Sequence, residues 1–450
     1  ISVLMVSFGV GSSQPARAEA TDNPYFSTTT VLMPDGKVIS KASIGGPATP
    51  PAGYARTSVT LPESNKEEGV VTLTVPAYDW SFGCSATSAS MIAAYWDRNG
   101  FPNMYTGPTD GGVMPLDSSS WGTFTDSAGD SYGQCPLTAS RDGLDGRVGK
   151  GSIDDYWVEY MGGFLDPFTS GSWTEHTWGT AIGDYMKTSQ YNYRNDDGST
   201  SFYYFTEGYP LTCDEMVGYM IDIYDGAYGR KLFYEAQGYT VTDCFTQATD
   251  NAATEAGEGF TFAMYKAEID AGRPVMIHVQ GHTMVGVGYD DSIQRIYLHD
   301  TWDYGTYSMP WGGDYYGMVM WGVSIVNLES YPLNLSKIGT GSGTVTSTPE
   351  GISCGADCAE TYPSGTVVKL TATPAADSSF SGWSGACGGT GTNCWVNMSA
   401  AKSVTANFTL NPIGTYKLTV TKTGTGSGTV TSTPAGISCG SACSASFNDG

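Results

Sequence analysis

A thiol at the start of a helix, an imidazole at the start of a strand and a carboxylate closing the next strand can together attack an acyl carbon. Cys84, His282 and Asp300 supply these groups here. In Tyr78-Asp79-Trp80-Ser81-Phe82-Gly83-Cys84-Ser85-Ala86-Thr87, followed by Ser88 to Asp97, the residues Met91, Ile92, Tyr95 and Trp96 recur at helical spacing, and Asn99-Gly100 supplies a stop. Cys84 is therefore expected in or just before the first turn, where unpaired N–H groups and the helix dipole favour an anion. A free thiol with a pKa near 8.5 is only about 3% thiolate at neutral pH, so it needs a partner base. The plain alternative is a small buried core residue or half of a disulfide.

The chain has four histidines, His176, His278, His282 and His299. His282 is the best partner for Cys84, because it opens a strand after Gly281, where a side chain can face a cleft while the strand stays anchored. His278 sits amid Val275, Met276, Ile277 and Val279 and reads as a satisfied core histidine. An imidazole base needs an acceptor for its other nitrogen, and Asp300 is placed to supply one if its strand pairs with that of His282; Asp303 is the fallback. A metal set of His278, His282 and an acid is a rival, since residues four apart on a strand share a face. Asn195-Asp196-Asp197-Gly198 lacks the other ligands of a calcium loop and reads as a turn. There is no G-x-S-x-G elbow for a serine nucleophile, and neither a metal nor another cofactor is expected.

The elements that must position these groups follow from pattern. Val70 to Pro76 is strand-like and leads into the Cys84 helix, and residues 99–253 are rich in Gly, Asp, Ser, Tyr and Trp, with amphipathic pieces at Ile153 to Tyr160 and Cys213 to Tyr224. Arg273 to Val279, His282 to Tyr289 and Arg295 to Asp300 then make three short strands, with Gly281 and Asp290-Asp291-Ser292 as turns. Met318 to Val326 is one more. A helix carrying Cys, packed on a later antiparallel sheet carrying His and an acid, predicts an α+β domain over residues 73–330. Residues 19–72 could be a propeptide, a linker or an edge strand.

After Leu333 the texture turns to Thr, Gly and Ser with no helical period. Gly339 to Pro349 recurs identically at Gly424 to Pro434, and Cys354 and Cys358 recur as Cys439 and Cys443. These are two small β units, 333–410 and a truncated 416–450. A unit this small needs staples, so local bridges Cys354 to Cys358 and Cys387 to Cys394 are expected, with Cys439 and Cys443 in the second copy. If Cys84 stays free, Cys135, Cys213 and Cys244 leave room for one bridge and one odd thiol.

Several function classes are excluded by composition. A formal charge of −24 argues against nucleic acid or an anionic membrane surface as a partner. Residues 1–18 read as a signal peptide clipped at its N-terminus, with Ala16-Arg17-Ala18 as the cleavage site, which predicts export. No run approaches the ~20 apolar residues of a membrane span.

The Gly83-Cys84-Ser85-Ala86-Thr87 helix start, the Gly281-His282-Thr283-Met284-Val285-Gly286-Val287-Gly288-Tyr289-Asp290 strand and His299-Asp300-Thr301-Trp302-Asp303 resemble the cysteine peptidases of family 39, the bacteriocin-leader-peptidase-like branch of the papain fold. The likeness spans roughly residues 73–330, and the repeats resemble the divergent internalin-type B-repeat of bacterial surface and secreted proteins. The resemblance implies Cys84 as nucleophile, His282 as base then acid and Asp300 as orienter, acting on a peptide or isopeptide bond of a peptide or protein substrate. One departure stands out. The family's Gln before the cysteine is missing from Ala77-Tyr78-Asp79-Trp80-Ser81, so the Cys84 backbone N–H must be joined in an oxyanion hole by the Trp80 indole or the Ser81 hydroxyl, Asp79 being a poor donor unless protonated. That gap leaves a second expectation: a catalytically inactive binding module of an adhesin-like protein, associated with the cell surface through its repeats.

Overall fold

The computed structural model describes residues 23–33, 35–51, 53–54, 56–64, 68–101, 104, 113–125, 131–139, 181–189, 193–195, 198–412 and 414–448. Residues 1–18, expected to be a signal peptide, Ile153 to Tyr160, His176 and Asp196-Asp197 lie outside the described residues. The chain divides into two compact units, residues 1–329 and 330–450.

The first unit mixes helices with antiparallel strands. In chain order its elements are β1 (Phe26–Leu32), β2 (Val38–Ile44), β3 (Val70–Thr72), α1 (Cys84–Arg98), β4 (Thr123–Thr125), β5 (Ser131–Gly133), α2 (Ile182–Tyr185), β6 (Thr200–Phe205), β7 (Leu211–Thr212), α3 (Cys213–Gly218), α4 (Gly226–Ala236), β8 (Val241–Ala248), α5 (Phe262–Asp270), β9 (Val275–Val279), β10 (His282–Asp290), β11 (Arg295–His299), β12 (Tyr307–Pro310), β13 (Asp314–Tyr315) and β14 (Met318–Leu328). The main sheet runs β12-β11-β10-β9-β14-β8-β7, with β3 added on β10 and β13 on β14. A smaller sheet sets β2 between β1 and β6, so residues 26–44 are built into the domain.

Both faces of the main sheet are covered, which is why β9 and β10 are buried almost throughout. Met276, Val285 and Val287 join the core around α1, whereas Val275, Ile277, Val279 and Met284 join the core that holds Tyr265 and Ile269 of α5. Gly286 is needed at this second layer: a methyl group there would lie 2.6 Å from the Tyr265 hydroxyl, which reaches across to donate to Gly288 O at 2.9 Å. Cys213 of α3 is disulfide-bonded to Cys244 of β8, leaving Cys84 and Cys135 as buried free thiols.

Helix α1 is buried from Cys84 to Asp97, and its small residues explain how. Ser and Ala at most of its first turns let β10 approach closely, and the hydroxyls that are buried find partners. Ser85 Oγ lies 2.8 Å from Thr283 Oγ1, Ser88 Oγ donates to Thr283 O at 3.1 Å, and Ser90 Oγ donates to Ala86 O at 2.8 Å. Each such bond is worth about 1 kcal/mol net, but losing one partner would leave a buried polar group unpaired at greater cost.

The second unit is all β. Strands β15 (Ser330–Ile338), β16 (Gly343–Thr348), β17 (Ala359–Pro363), β18 (Val367–Pro374), β19 (Ser378–Gly385), β20 (Asn393–Asn397) and β21 (Lys402–Leu410) form two sheets, ordered β17-β15-β21-β19 and β16-β18-β20. Their alternating inward residues, among them Leu333, Val345, Leu370 and Phe408, make one small core. Cys354 is bonded to Cys358 and Cys387 to Cys394. In the second copy β22 (Thr415–Thr419) pairs with β23 (Ser444–Asn448), and Cys439 is bonded to Cys443. Among the described residues no helix is long and apolar enough to cross a membrane.

Candidate active site

Cys84 is the first residue of α1, and the turn before it is unusual backbone. Phe82 has φ +56° and Gly83 φ +146°, which swings the chain from an extended run into the helix. Only glycine suits position 83, where a methyl group would lie 2.6 Å from Thr188 Cγ2 and 2.8 Å from Gly198 O. The thiol ends up fully buried at a helix N-terminus that no side chain caps.

His282 opens β10 next to Thr283, the residue that Ser85 and Ser88 grip, so helix and strand are fastened at the point where Cys84 and His282 must meet. The imidazole is fully buried and stacked on the Trp302 indole, with ring centroids 3.9 Å apart. Its Nε2–H donates to the main-chain oxygen of Asp300 at 2.6 Å, and Thr301 Oγ1 is 3.3 Å from the same nitrogen. That bond fixes the tautomer and leaves Nδ1 bare. Nδ1 has no hydrogen-bond partner among the described residues. It borders Gly46: a side chain placed there would overlap Cys84 Sγ and lie 3.1 Å from His282 Nδ1.

Asp300 is beside His282, but its carboxylate, expected as the orienter, is turned to other donors. Asp300 Oδ2 is 2.5 Å from Arg56 Nη1 and accepts from the Tyr315 hydroxyl at 2.6 Å, while Oδ1 accepts from Trp302 N–H at 3.2 Å. With those donors already spent on the carboxylate, the peptide oxygen is what faces the ring. Asp303, the fallback, is held by Arg56 Nη2 at 2.9 Å and by the Tyr307 hydroxyl at 2.7 Å.

The three oxyanion candidates separate in space. Ser81 Oγ donates to Gly133 O at 2.8 Å and accepts from Cys135 N–H at 2.9 Å, so it is occupied with the fold. The Asp79 carboxylate accepts from Trp80 N–H at 2.9 Å, and burial pushes its pKa up to about 6. The Trp80 indole N–H points at the site, donating to Gly46 O at 3.1 Å.

The electrostatics describe a buried, neutral pair. Burial pushes the Cys84 thiol up to about 11, against hydrogen bonds from Thr283 and Ser85 that favour the thiolate. Burial also lowers His282 to about 3, although the Asp300 oxygen favours the protonated ring. At neutral pH the resting site therefore holds a thiol and a neutral imidazole.

His278 and His299 are structural. His278 Nε2 is 2.8 Å from Ser324 Oγ and its Nδ1 3.2 Å from Thr283 Oγ1; His299 is paired with Pro76 O and Thr306 Oγ1. His278 and His282 lie on paired strands, His278 opposite Thr283 and His282 opposite Val279, so strand alternation sends their side chains to opposite faces and they share no metal face. Among the described residues no group of three His, Cys, Asp or Glu side chains could hold a metal ion.

Gly46, Arg56 and Tyr315 were invisible as site residues in the sequence. Trp302 lay inside a quoted motif, yet its stacking on His282 depends on a tertiary contact. Only the rarity of Arg in so acidic a chain could have drawn attention to Arg56.

Residues 169–312 match the Peptidase_C39 like family, and residues 333–412 match the Divergent InlB B-repeat domain. A C39-like peptidase domain is followed here by a divergent B-repeat. The C39-like stretch includes His282 and Asp300 and starts well after Cys84. No curated protein and no solved structure matches the chain.

Proposed function

We propose that the chain is an exported thiol peptidase that hydrolyses peptide or isopeptide bonds of a peptide or protein substrate. The observation that carries this reading is the bare Nδ1 of His282, which borders Gly46 at the same place as the Cys84 sulfur while Nε2 is held by Asp300 O. In this mechanism Nδ1 takes the thiol proton and the thiolate attacks the substrate carbonyl. The negative charge gathers on the carbonyl oxygen, where the Cys84 backbone N–H and the Trp80 indole N–H stabilise it. The imidazolium, braced by Asp300 O and the Trp302 ring, returns its proton to the leaving amine. Water activated by the same nitrogen then hydrolyses the thioester, and Cys84 regains its proton. Export draws on the residue 1–18 pattern, the disulfides and the B-repeat, which spaces or tethers the enzyme at a cell surface.

The test is peptide turnover by wild type, Cys84→Ala and Cys135→Ala, each cut in the exposed stretch near Gly53 so that the segment bordering Cys84 at Gly46 can leave. Turnover vanishes in Cys84→Ala and persists in Cys135→Ala; equal turnover in all three proteins would overturn the assignment.

A second reading, an inactive binding module, draws on one observation: the thiol is neutral and covered in this structure. Cys84-dependent cleavage of any peptide removes it.

A further inference from the structure

What covers Cys84 is the chain itself. Leaving β2 at Ile44, the backbone passes through Gly45 to Gly46, which is buried against the Cys84 thiol and His282 Nδ1, and on to Pro47. Two indole N–H groups hold this segment by consecutive carbonyls, Trp80 Nε1 on Gly46 O at 3.1 Å and Trp302 Nε1 on Pro47 O at 2.7 Å. Further along, Arg56 is tied to Asp300 and Asp303, and Val59 N–H donates to Thr306 O at 2.8 Å. At its near end Gly45 N–H donates to Tyr25 O at 2.8 Å. Both indole bonds to residues 46 and 47 recognise main chain, and Gly46, which borders the sulfur, has no side chain.

We propose that the cleft over Cys84 is a binding site for extended peptide backbone, with Trp80 and Trp302 as its two donors, and that residues 45–48 of this chain are its resident, autoinhibitory occupant. The proposal rests on the reading of Cys84 and His282 as a peptidase pair, and it adds what shuts that pair off. While the strap is seated, no substrate carbonyl can reach the thiol and no water can reach the imidazole. The neutral, desolvated state of both groups is what such a cover produces. Opening requires displacing the strap from two indole donors and from the buried Arg56 ion pair, for example by a cut in the exposed stretch near Thr49 or Gly53.

The experiment reads thiol access rather than turnover. Full-length protein is treated with iodoacetamide at pH 7.5, and the labelled fraction of Cys84 is followed by peptide mass spectrometry in three forms: wild type, Gly46→Val, and a chain with a protease recognition sequence inserted after Gly53, before and after cutting. A seated strap predicts slow labelling of wild type and of the uncut insertion protein, and at least ten-fold faster labelling after the cut and in Gly46→Val. Wild type labelling as fast as the cut protein would overturn the proposal, as would a cut protein that labels no faster than uncut. Should Gly46→Val lose its near-ultraviolet circular dichroism, the cut protein decides alone. A cut protein that labels fast but cleaves no peptide keeps the strap and removes the peptidase reading, so the two failures are distinguishable.

Discussion

His282 Nε2 is held by the peptide oxygen of Asp300 at 2.6 Å, while the carboxylate of the same residue lies 2.5 Å from Arg56. One residue therefore serves two functions through two groups: its backbone orients the imidazole, and its side chain closes a buried ion pair with the segment that covers the site.

Asp300→Asn separates those functions. It keeps the peptide oxygen, so peptide turnover per folded molecule of the protein cut after Gly53 should fall less than about ten-fold, far from the ~10⁴-fold loss expected when a triad carboxylate orients the base. It also removes one partner of a buried charge pair, so urea unfolding should show a loss of about 3 kcal/mol. A loss of several thousand-fold in turnover would return the orienting role to the carboxylate.

Trp80→Phe deletes an N–H while keeping a ring to pack against Phe82, whose ring centroid is 5.8 Å away. Removing one oxyanion donor costs about 3 kcal/mol, so kcat for peptide hydrolysis by the protein cut after Gly53 should drop on the order of 10²-fold. Unchanged kcat would leave the Cys84 backbone N–H as the hole's sole donor of the two.

Alkaline pH should unfold this protein through its thiols. Burial raises Cys84 and Cys135 to about 11 in the folded state, above the ~8.5 of a free thiol. The folded chain thus keeps protons that the unfolded chain releases, and stability falls as pH rises from about 8.5 toward 11. Each thiol contributes a slope of about 1.4 kcal/mol per pH unit in that window. Cys135→Ala should lower the slope of urea-unfolding stability against pH by one such share; an unchanged slope would mean that the folded thiol titrates normally.

Gly83→Ala forces a side chain into φ +146° and toward Thr188 and Gly198. Strain plus overpacking should cost about 3 kcal/mol and lower Tm by several degrees. A stability within 0.5 kcal/mol of wild type, on the order of an ordinary surface change, would show that the turn before Cys84 relaxes freely.

What could be read from the sequence was whatever is encoded locally. Apolar spacing marked α1 through Met91, Ile92, Tyr95 and Trp96, and strand runs with Gly281 between them marked β9 and β10; these elements stand where the pattern put them. The α+β character of the first unit and the all-β second unit follow from the same periodicities, because helix and strand bury residues at different intervals. Short-range bridges such as Cys354 to Cys358 were legible because four residues cannot stray far apart.

The remainder was decided by contacts that no local pattern encodes. The partner of Cys213, which nitrogen of His282 is bare, which oxygen of Asp300 holds the other, and the turning of Ser81 toward Gly133 all depend on side-chain directions set after the sheet closes. The placing of Gly46 over Cys84 and of Arg56 on Asp300 joins residues far apart in the chain. Sequence determined which groups could do chemistry and on which elements they sit, since both are properties of residue type and spacing. Tertiary structure alone decided which atoms meet and what lies over them, since long-range packing and the competition of donors for each buried oxygen exist only in the folded chain.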